Sequence, residues 1–159
     1  MYTEILSHIR TKSDVWQLEG EVDLLLDKLY KADEAAFTLS LEKDVREWVS
    51  QELSREFVKG ETKKDEFLRG LKVALGKLRV LNLTLAFDPT LHSIEKIHDW
   101  VRRNIGEGII LEIAVNPTLF AGAILVYKGE YRDFTFRNKF RQDFNQNREE
   151  IFKILSKNQ

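Results

Sequence analysis

The sequence predicts an α+β chain: an N-terminal helical region of three to four helices over 1–78, then a small mixed β-sheet domain with flanking helices over 79–159. Two observations predict it. As far as about Leu78, apolar residues recur every three or four positions; beyond it, short runs recur every second position. Those runs are punctuated by Asp88-Pro89, Asn116-Pro117 and Lys128-Gly129, the residue types that end strands and make turns. Helices first and a sheet afterwards is the α+β order rather than the alternating order of a parallel α/β sheet.

In chain order, Val15, Leu18, Val22, Leu25 and Leu29 form one helical seam, with Ser13 as N-cap and Trp16 and Leu26 widening the stripe. The seam is little more than two heptads, so packing within a bundle is expected rather than a coiled coil. A second helix is predicted through Leu41, Val45, Trp48, Val49, Leu53 and Phe57, capped by Ser40. The polar stretch Lys59–Asp65 breaks it. A third, over Glu66–Lys77, buries Phe67, Leu68, Leu71 and Leu75, although Gly70 and Gly76 each weaken a helix by roughly 1 kcal/mol relative to Ala.

Leu81, Leu83, Leu85 and Phe87 then alternate with small or polar residues as a half-buried strand. Pro89 cannot donate to a ladder, and Thr90 can cap the following helix, marked by Leu91, Ile94, Ile97, Val101 and Ile105 and closed by Arg102, Arg103 and Gly106. Ile109, Leu111, Ile113 and Val115 make a second strand. Ala123–Tyr127 and Glu130–Phe134 pair as a hairpin across Lys128-Gly129. From Thr135 the period is helical again, through Phe140, Phe144, Ile151 and Leu155.

Composition narrows the chemistry. The 159 residues are 43% hydrophobic and 32% charged, with a formal net charge of −1, so no global field draws the chain to nucleic acid or an anionic membrane. With no cysteine, disulfides, thiolate chemistry and cysteine-ligated zinc are excluded. No run approaches the roughly 20 apolar residues of a membrane span, and Met1–Arg10 lacks the form of a signal peptide. A cytoplasmic location, with membrane association only through a partner, is therefore expected.

Catalytic patterns are missing. His92 and His98 share one predicted helix but lie on opposite sides of it, not at the i,i+4 spacing that suits zinc; they and His8 read as solvated or structural. No G-x-S-x-G elbow or phosphate loop occurs, and Gly106-Glu107-Gly108 follows a helix where a dinucleotide loop would open one. The carboxylates are spread along helix faces beside Lys and Arg. Arg132, Arg137, Lys139 and Arg141, interleaved with Tyr131, Phe134, Phe136 and Phe140, have the composition of a single-strand nucleic-acid platform. The near-zero net charge favours aromatics in the core and basic residues outside. No catalytic, metal or cofactor site is expected.

Asn116–Phe140 is the most distinctive stretch. After Val115-Asn116-Pro117-Thr118-Leu119 it places a small-Gly step, Ala121-Gly122, before an apolar strand, Ile124–Val126. A hairpin follows, then Asp133, with Arg137 four residues on. Together with the turn Phe87-Asp88-Pro89-Thr90, this resembles the C-terminal half of the delta subunit of a rotary (F-type) proton-translocating ATP synthase. The match covers about Arg79–Phe144. Phe134 stands where that family prefers Gly and Thr135 where it prefers Ser, and 1–78 reads as a shortened or replaced form of the family's six-helix N-terminal bundle. The resemblance implies a non-catalytic peripheral-stalk (stator) subunit, without cofactor, linking the stalk's b subunits to the alpha subunits of the catalytic head. It implies a place on the inner face of the cell membrane, held there by the complex, with neither membrane insertion nor nucleic acid involved.

Physically, Gly122 permits a close backbone approach, and Asp133 at a helix N-terminus is favoured and can pair with Arg137 one turn on. Trp16, Trp48 and Phe140 are candidate interface anchors, although each falls on or near its helix's apolar stripe, which suits the core. Two other readings remain open. One is the E-type stalk subunit of a vacuolar or archaeal ATPase, which also ends in an α+β domain but begins with a long charged helix. The other is an unrelated α+β adaptor or nucleic-acid-binding module.

Overall fold

The structure, a computed structural model, describes residues 2–146 and 148. It is α+β, with helices first and a small sheet after them, as the change of period predicts. Five helices come before the sheet: α1 (Thr3–Ser7), α2 (Lys12–Lys31), α3 (Glu34–Lys43), α4 (Glu47–Lys59) and α5 (Lys64–Gly76). Then follow β1 (Arg79–Leu85), α6 (Leu91–Asn104), β2 (Ile109–Val115), β3 (Ala123–Tyr127), β4 (Glu130–Asp133) and α7 (Phe136–Gln146). The predicted helical positions Ile151 and Leu155 lie outside the described residues. The chain divides into two compact units, Met1–Val80 with Glu95–Leu111, and Leu81–Ile94 with Glu112–Gln159.

In the first unit, α2 begins two residues ahead of the predicted cap. Thr11 rather than Ser13 holds the N-terminus: its hydroxyl accepts from Asp14 N at 3.2 Å while the Asp14 carboxylate accepts from Thr11 N at 2.9 Å. This reciprocal capping box is worth about 1 kcal/mol. The seam residues Val15, Leu18, Val22 and Leu25 are buried as predicted.

The single helix predicted from Ser40 to Phe57 is two. Ser40 is buried inside α3, not capping anything, and the chain breaks at 44–46 before α4. Apolar spacing continues across that break, so periodicity could not register it. The break is held from outside: Glu21 on α2 accepts from Arg46 N at 3.0 Å, satisfying a donor at the start of a helix that has no cap of its own. In α5 the four predicted residues, Phe67, Leu68, Leu71 and Leu75, are all buried. Gly70 has a packing reason to be there, because the Tyr2 hydroxyl occupies the space a Cβ would need. These side chains join Ile5, Ile9, Phe37, Val49, Leu53 and Ile110 in one apolar core.

The four strands form one mixed sheet in the order β2-β1-β3-β4. β1 buries Leu81, Leu83 and Leu85 and leaves Asn82 exposed, the predicted alternation, but it ends before Phe87, which is exposed. β2 departs from alternation: Ile109, Ile110 and Leu111 are buried in succession. In the first unit Leu111 N donates to Arg10 O at 2.8 Å and Leu111 bridges in parallel to Thr11, which pairs the edge of that strand start, while Ile110 joins the apolar core. The hairpin is as predicted. Lys128 (φ 50°) and Gly129 (φ 80°) both take positive φ, as a two-residue turn between twisted strands requires, with Tyr127 opposite Glu130.

Candidate functional site

The second unit carries Ala121, Gly122, Asp133, Arg137 and Phe140, and it brings Ala121, Gly122 and Asp133 to one junction. Gly122 has φ 94°, and a Cβ on it would lie 2.8 Å from the Thr135 Cα, with the Phe134 carbonyl oxygen closer still. On either side of it, Phe134 N donates to Ala123 O at 2.8 Å and Phe136 N to Ala121 O at 3.1 Å. The small-Gly step thus lets the end of β4 and the start of α7 lie directly on the chain entering β3.

Asp133 shapes the same junction. Its Oδ1 accepts from Thr135 N at 2.8 Å, and its carbonyl accepts from Asn138 Nδ2 at 3.0 Å. The hydrogen bonds from Thr135, with Arg141 nearby, hold its carboxyl below the usual carboxylate range. Buried Thr135 caps α7, its hydroxyl accepting from Asn138 N at 3.3 Å. The carboxylate therefore turns to Thr135 rather than to Arg137, which is exposed on α7.

Ahead of Gly122 the backbone is strained. Phe120 has φ 66° and ψ −51°, and Ala121 N donates to Leu119 O at 2.8 Å. This is a γ-turn of the rare positive-φ kind, unusual at a bulky aromatic. Neighbours hold it: Asn116 Oδ1 accepts from Thr118 N at 3.1 Å, and Ala121 O is bound by Phe136 N. The Phe120 ring projects outward, 80% exposed, with its centroid 6.5 Å from that of Phe136; the Phe136 and Phe140 rings stack at 6.3 Å. Phe136 is 54% and Phe140 60% exposed, and Tyr131 and Phe134 are exposed as well.

This corrects the expectation that the aromatics of 131–140 are core. A spacing of four puts Phe136 and Phe140 on one face, but spacing does not say whether that face is covered. Phe140, expected on a buried stripe, is on the surface. So is Trp16, 61% exposed, with the Lys12 ammonium 5.2 Å from its ring. Trp48 is partly buried, stacked on His8 at 4.6 Å and against the Arg46 guanidinium at 4.9 Å. The strained turn at Phe120 had no sequence signal beyond Pro117 and the small residues after it.

The first unit holds an open, largely apolar pocket of about 270 Å³, walled by Leu6, Ile9, Leu78, His98 and Ile109, with Arg102 among its polar groups. His98 is buried, its Nε2 3.1 Å from the Ile109 carbonyl oxygen, so that nitrogen carries the proton and donates. Burial pushes its pKa down, and Arg10 and Arg102 add to the effect. It is a strut between α6 and β2. A folded-state pKa below the unfolded value of about 6.5 makes stability level above that pH; below it the unfolded chain binds the proton more readily, and stability falls. In His98→Gln the decline in melting temperature between about pH 7 and pH 5 should be shallower than in the wild type. Equal slopes would show that His98 does not carry it.

Among the described residues, no group of three His, Asp or Glu side chains is placed to hold a metal ion, and no helix is long and apolar enough to cross a membrane. No protein-family model matches the chain, and no curated protein sequence matches it. Among solved structures, a chain in the cryo-EM structure of the Toxoplasma gondii mitochondrial ATP synthase hexamer is similar at 14% identity, over 82% of this chain and 85% of that one. The TM-score is 0.37.

Proposed function

We propose that this chain is a non-catalytic stator component of a rotary ATP synthase, of the delta kind, tying the peripheral stalk to the catalytic head. One observation carries the reading. The residues of the delta-like signature, Ala121, Gly122, Asp133 and Arg137, come from one short stretch, and Gly122 and Asp133 meet in a single junction where close backbone approach and a capped helix depend on each other. The exposed aromatic rings beside it supply apolar surface of the kind static binding requires. Such a role needs broad complementary surfaces and no reactive group.

On this reading 79–159 engages the b subunits of the stalk, and 1–78 faces the alpha subunits of the head. The protein sits on the cytoplasmic face of the membrane through the complex. Trp16 is a candidate anchor toward the head and Phe140 toward the stalk, both large exposed rings able to enter a partner pocket. The test is affinity purification of the tagged full chain from its own host, with mass spectrometry of what it retains. Head and stalk subunits are expected together, in amounts that survive a high-salt wash. Recovery of neither would overturn the proposal.

A further inference from the structure

In the strand order β2-β1-β3-β4, β4 pairs on one side only and forms an edge of the sheet. Register shows which of its backbone groups are free. Phe134 N donates to Ala123 O at 2.8 Å, which makes these two residues a hydrogen-bonded pair of an antiparallel ladder. Such pairs alternate, so Arg132 with Leu125 and Glu130 with Tyr127 are hydrogen-bonded pairs as well. Tyr131 and Asp133 fall between them and turn their N–H and C=O groups away from β3. The Asp133 carbonyl is taken by Asn138 Nδ2 at 3.0 Å. The Tyr131 N–H and C=O take no hydrogen bond among the described residues, and its side chain is exposed. An unpaired donor and acceptor on a sheet edge form a template for another strand.

The side chains select which strand. Glu130 and Arg132 project from one face of β4 and Tyr131 from the other. Arg132 Nη2 lies 3.2 Å from Glu130 Oε2, and the two side chains are 64% and 73% exposed, so both charges stay accessible at the rim. Charges on an edge strand ordinarily discourage pairing. Here they are opposite in sign and two residues apart, which suits a copy of the same strand running antiparallel. When β4 pairs with β4 of a second copy about a two-fold axis, outward groups meet outward groups if the axis passes at Glu130, Tyr131 or Arg132. An axis at Glu130 sets carboxylate against carboxylate, and an axis at Arg132 sets guanidinium against guanidinium. An axis at Tyr131 lets each Tyr131 N–H donate to the C=O of the other. It also sets each Glu130 opposite the second copy's Arg132, in the closer non-hydrogen-bonded positions. Of the three, that register alone satisfies backbone and charge together.

We infer that the free edge of β4 pairs antiparallel with the same edge of a second copy of this chain, Tyr131 opposite Tyr131 and Glu130 opposite Arg132, joining two four-stranded sheets into one. The contact is short, so the dimer is weak and reversible. This pairing does not depend on the stator reading.

Sedimentation equilibrium of the full chain at up to about 1 mM should show monomer and dimer in exchange, because a contact of a few hydrogen bonds and two ion pairs falls at the weak end of the affinity range. Amide exchange at Tyr131 should slow as concentration rises, while that at Arg132, already bonded to β3, should not. E130R and R132E should each weaken the dimer roughly 10-fold, because either change sets like charges opposite each other in both symmetric positions. The exchange E130R/R132E should restore it, and so should mixing the two single variants, since opposite charges then face each other again. Tyr131→Pro removes the free N–H without removing a bond to β3, as an edge position allows. It should be monomeric, with wild-type protection of the Ala123–Tyr127 amides showing the hairpin intact; if that protection is lost, the charge variants decide alone. A chain that stays monomeric at every concentration would overturn the pairing. So would a dimer that Y131P leaves intact with its hairpin protected, one that E130R and R132E leave unchanged, or one that E130R/R132E fails to restore.

Discussion

Gly122→Val is expected to destabilise the second unit by about 3 kcal/mol or more, the sum of overpacking and backbone strain. Two effects act together. At φ 94° any L side chain is strained, and the Cβ alone would crowd the Thr135 Cα at 2.8 Å. Both crowded groups are backbone, Phe134 O and Thr135 Cα, so no side chain can swing aside to relieve them. The hydrogen bonds Phe134 N to Ala123 O and Phe136 N to Ala121 O would have to lengthen to make room. Amide exchange is the measurement to choose: the three tryptophans, Trp16, Trp48 and Trp100, all belong to the first unit, so their fluorescence is a poor witness to β3. The amides of Ala123–Tyr127 should lose most of their protection in the Val variant and less in Gly122→Ala, which shares the strain but adds fewer atoms. Wild-type protection in Gly122→Val would mean that the two backbones do not lie against each other.

Glu21→Ala should cost the first unit about 2–4 kcal/mol, the range for breaking a largely buried, multiply bonded ion pair after allowing for the hydration left to the Arg. The Glu21 carboxylate accepts from Arg46 N at 3.0 Å, from Nε at 2.9 and 3.1 Å, and from Nη2 at 2.8 Å. The two side chains are 10% and 22% exposed, so removing Glu21 strands a poorly hydrated guanidinium and uncaps the start of α4 at one stroke. Glu21→Gln keeps an acceptor for Arg46 N and should lose only about half as much. Tryptophan emission suits this test, because Arg46 lies against Trp48. A denaturation midpoint for Glu21→Ala equal to the wild type would show that water replaces the carboxylate at no cost, and that α4 needs no support from α2.

Much of the fold was legible in the sequence because most elements announce themselves locally. The buried seams of α2 and α5, the alternation of β1 and the turn at Lys128-Gly129 depend on side-chain period and on positive φ, both readable one residue at a time. The misses share a cause. The division between α3 and α4 is held by Glu21, twenty-five residues upstream, and the start of β2 pairs with Arg10 and Thr11 and packs Ile110 into the helical core. Neither partner lies within the window a periodicity argument uses.

The same distinction holds for the site. The sequence alone marked Ala121, Gly122, Asp133 and Arg137 as belonging together, and required a glycine-permitted close approach somewhere near 122, because residue types and spacings along the chain carry that information. Only the tertiary structure decided what Gly122 approaches, that Asp133 bonds to Thr135 instead of pairing with Arg137, and that Phe120, Phe136 and Phe140 face outward. Amphipathic spacing says which side chains share a face. Whether that face is core or surface depends on what the rest of the chain lays against it, and that is fixed by distance in space, not by distance in sequence.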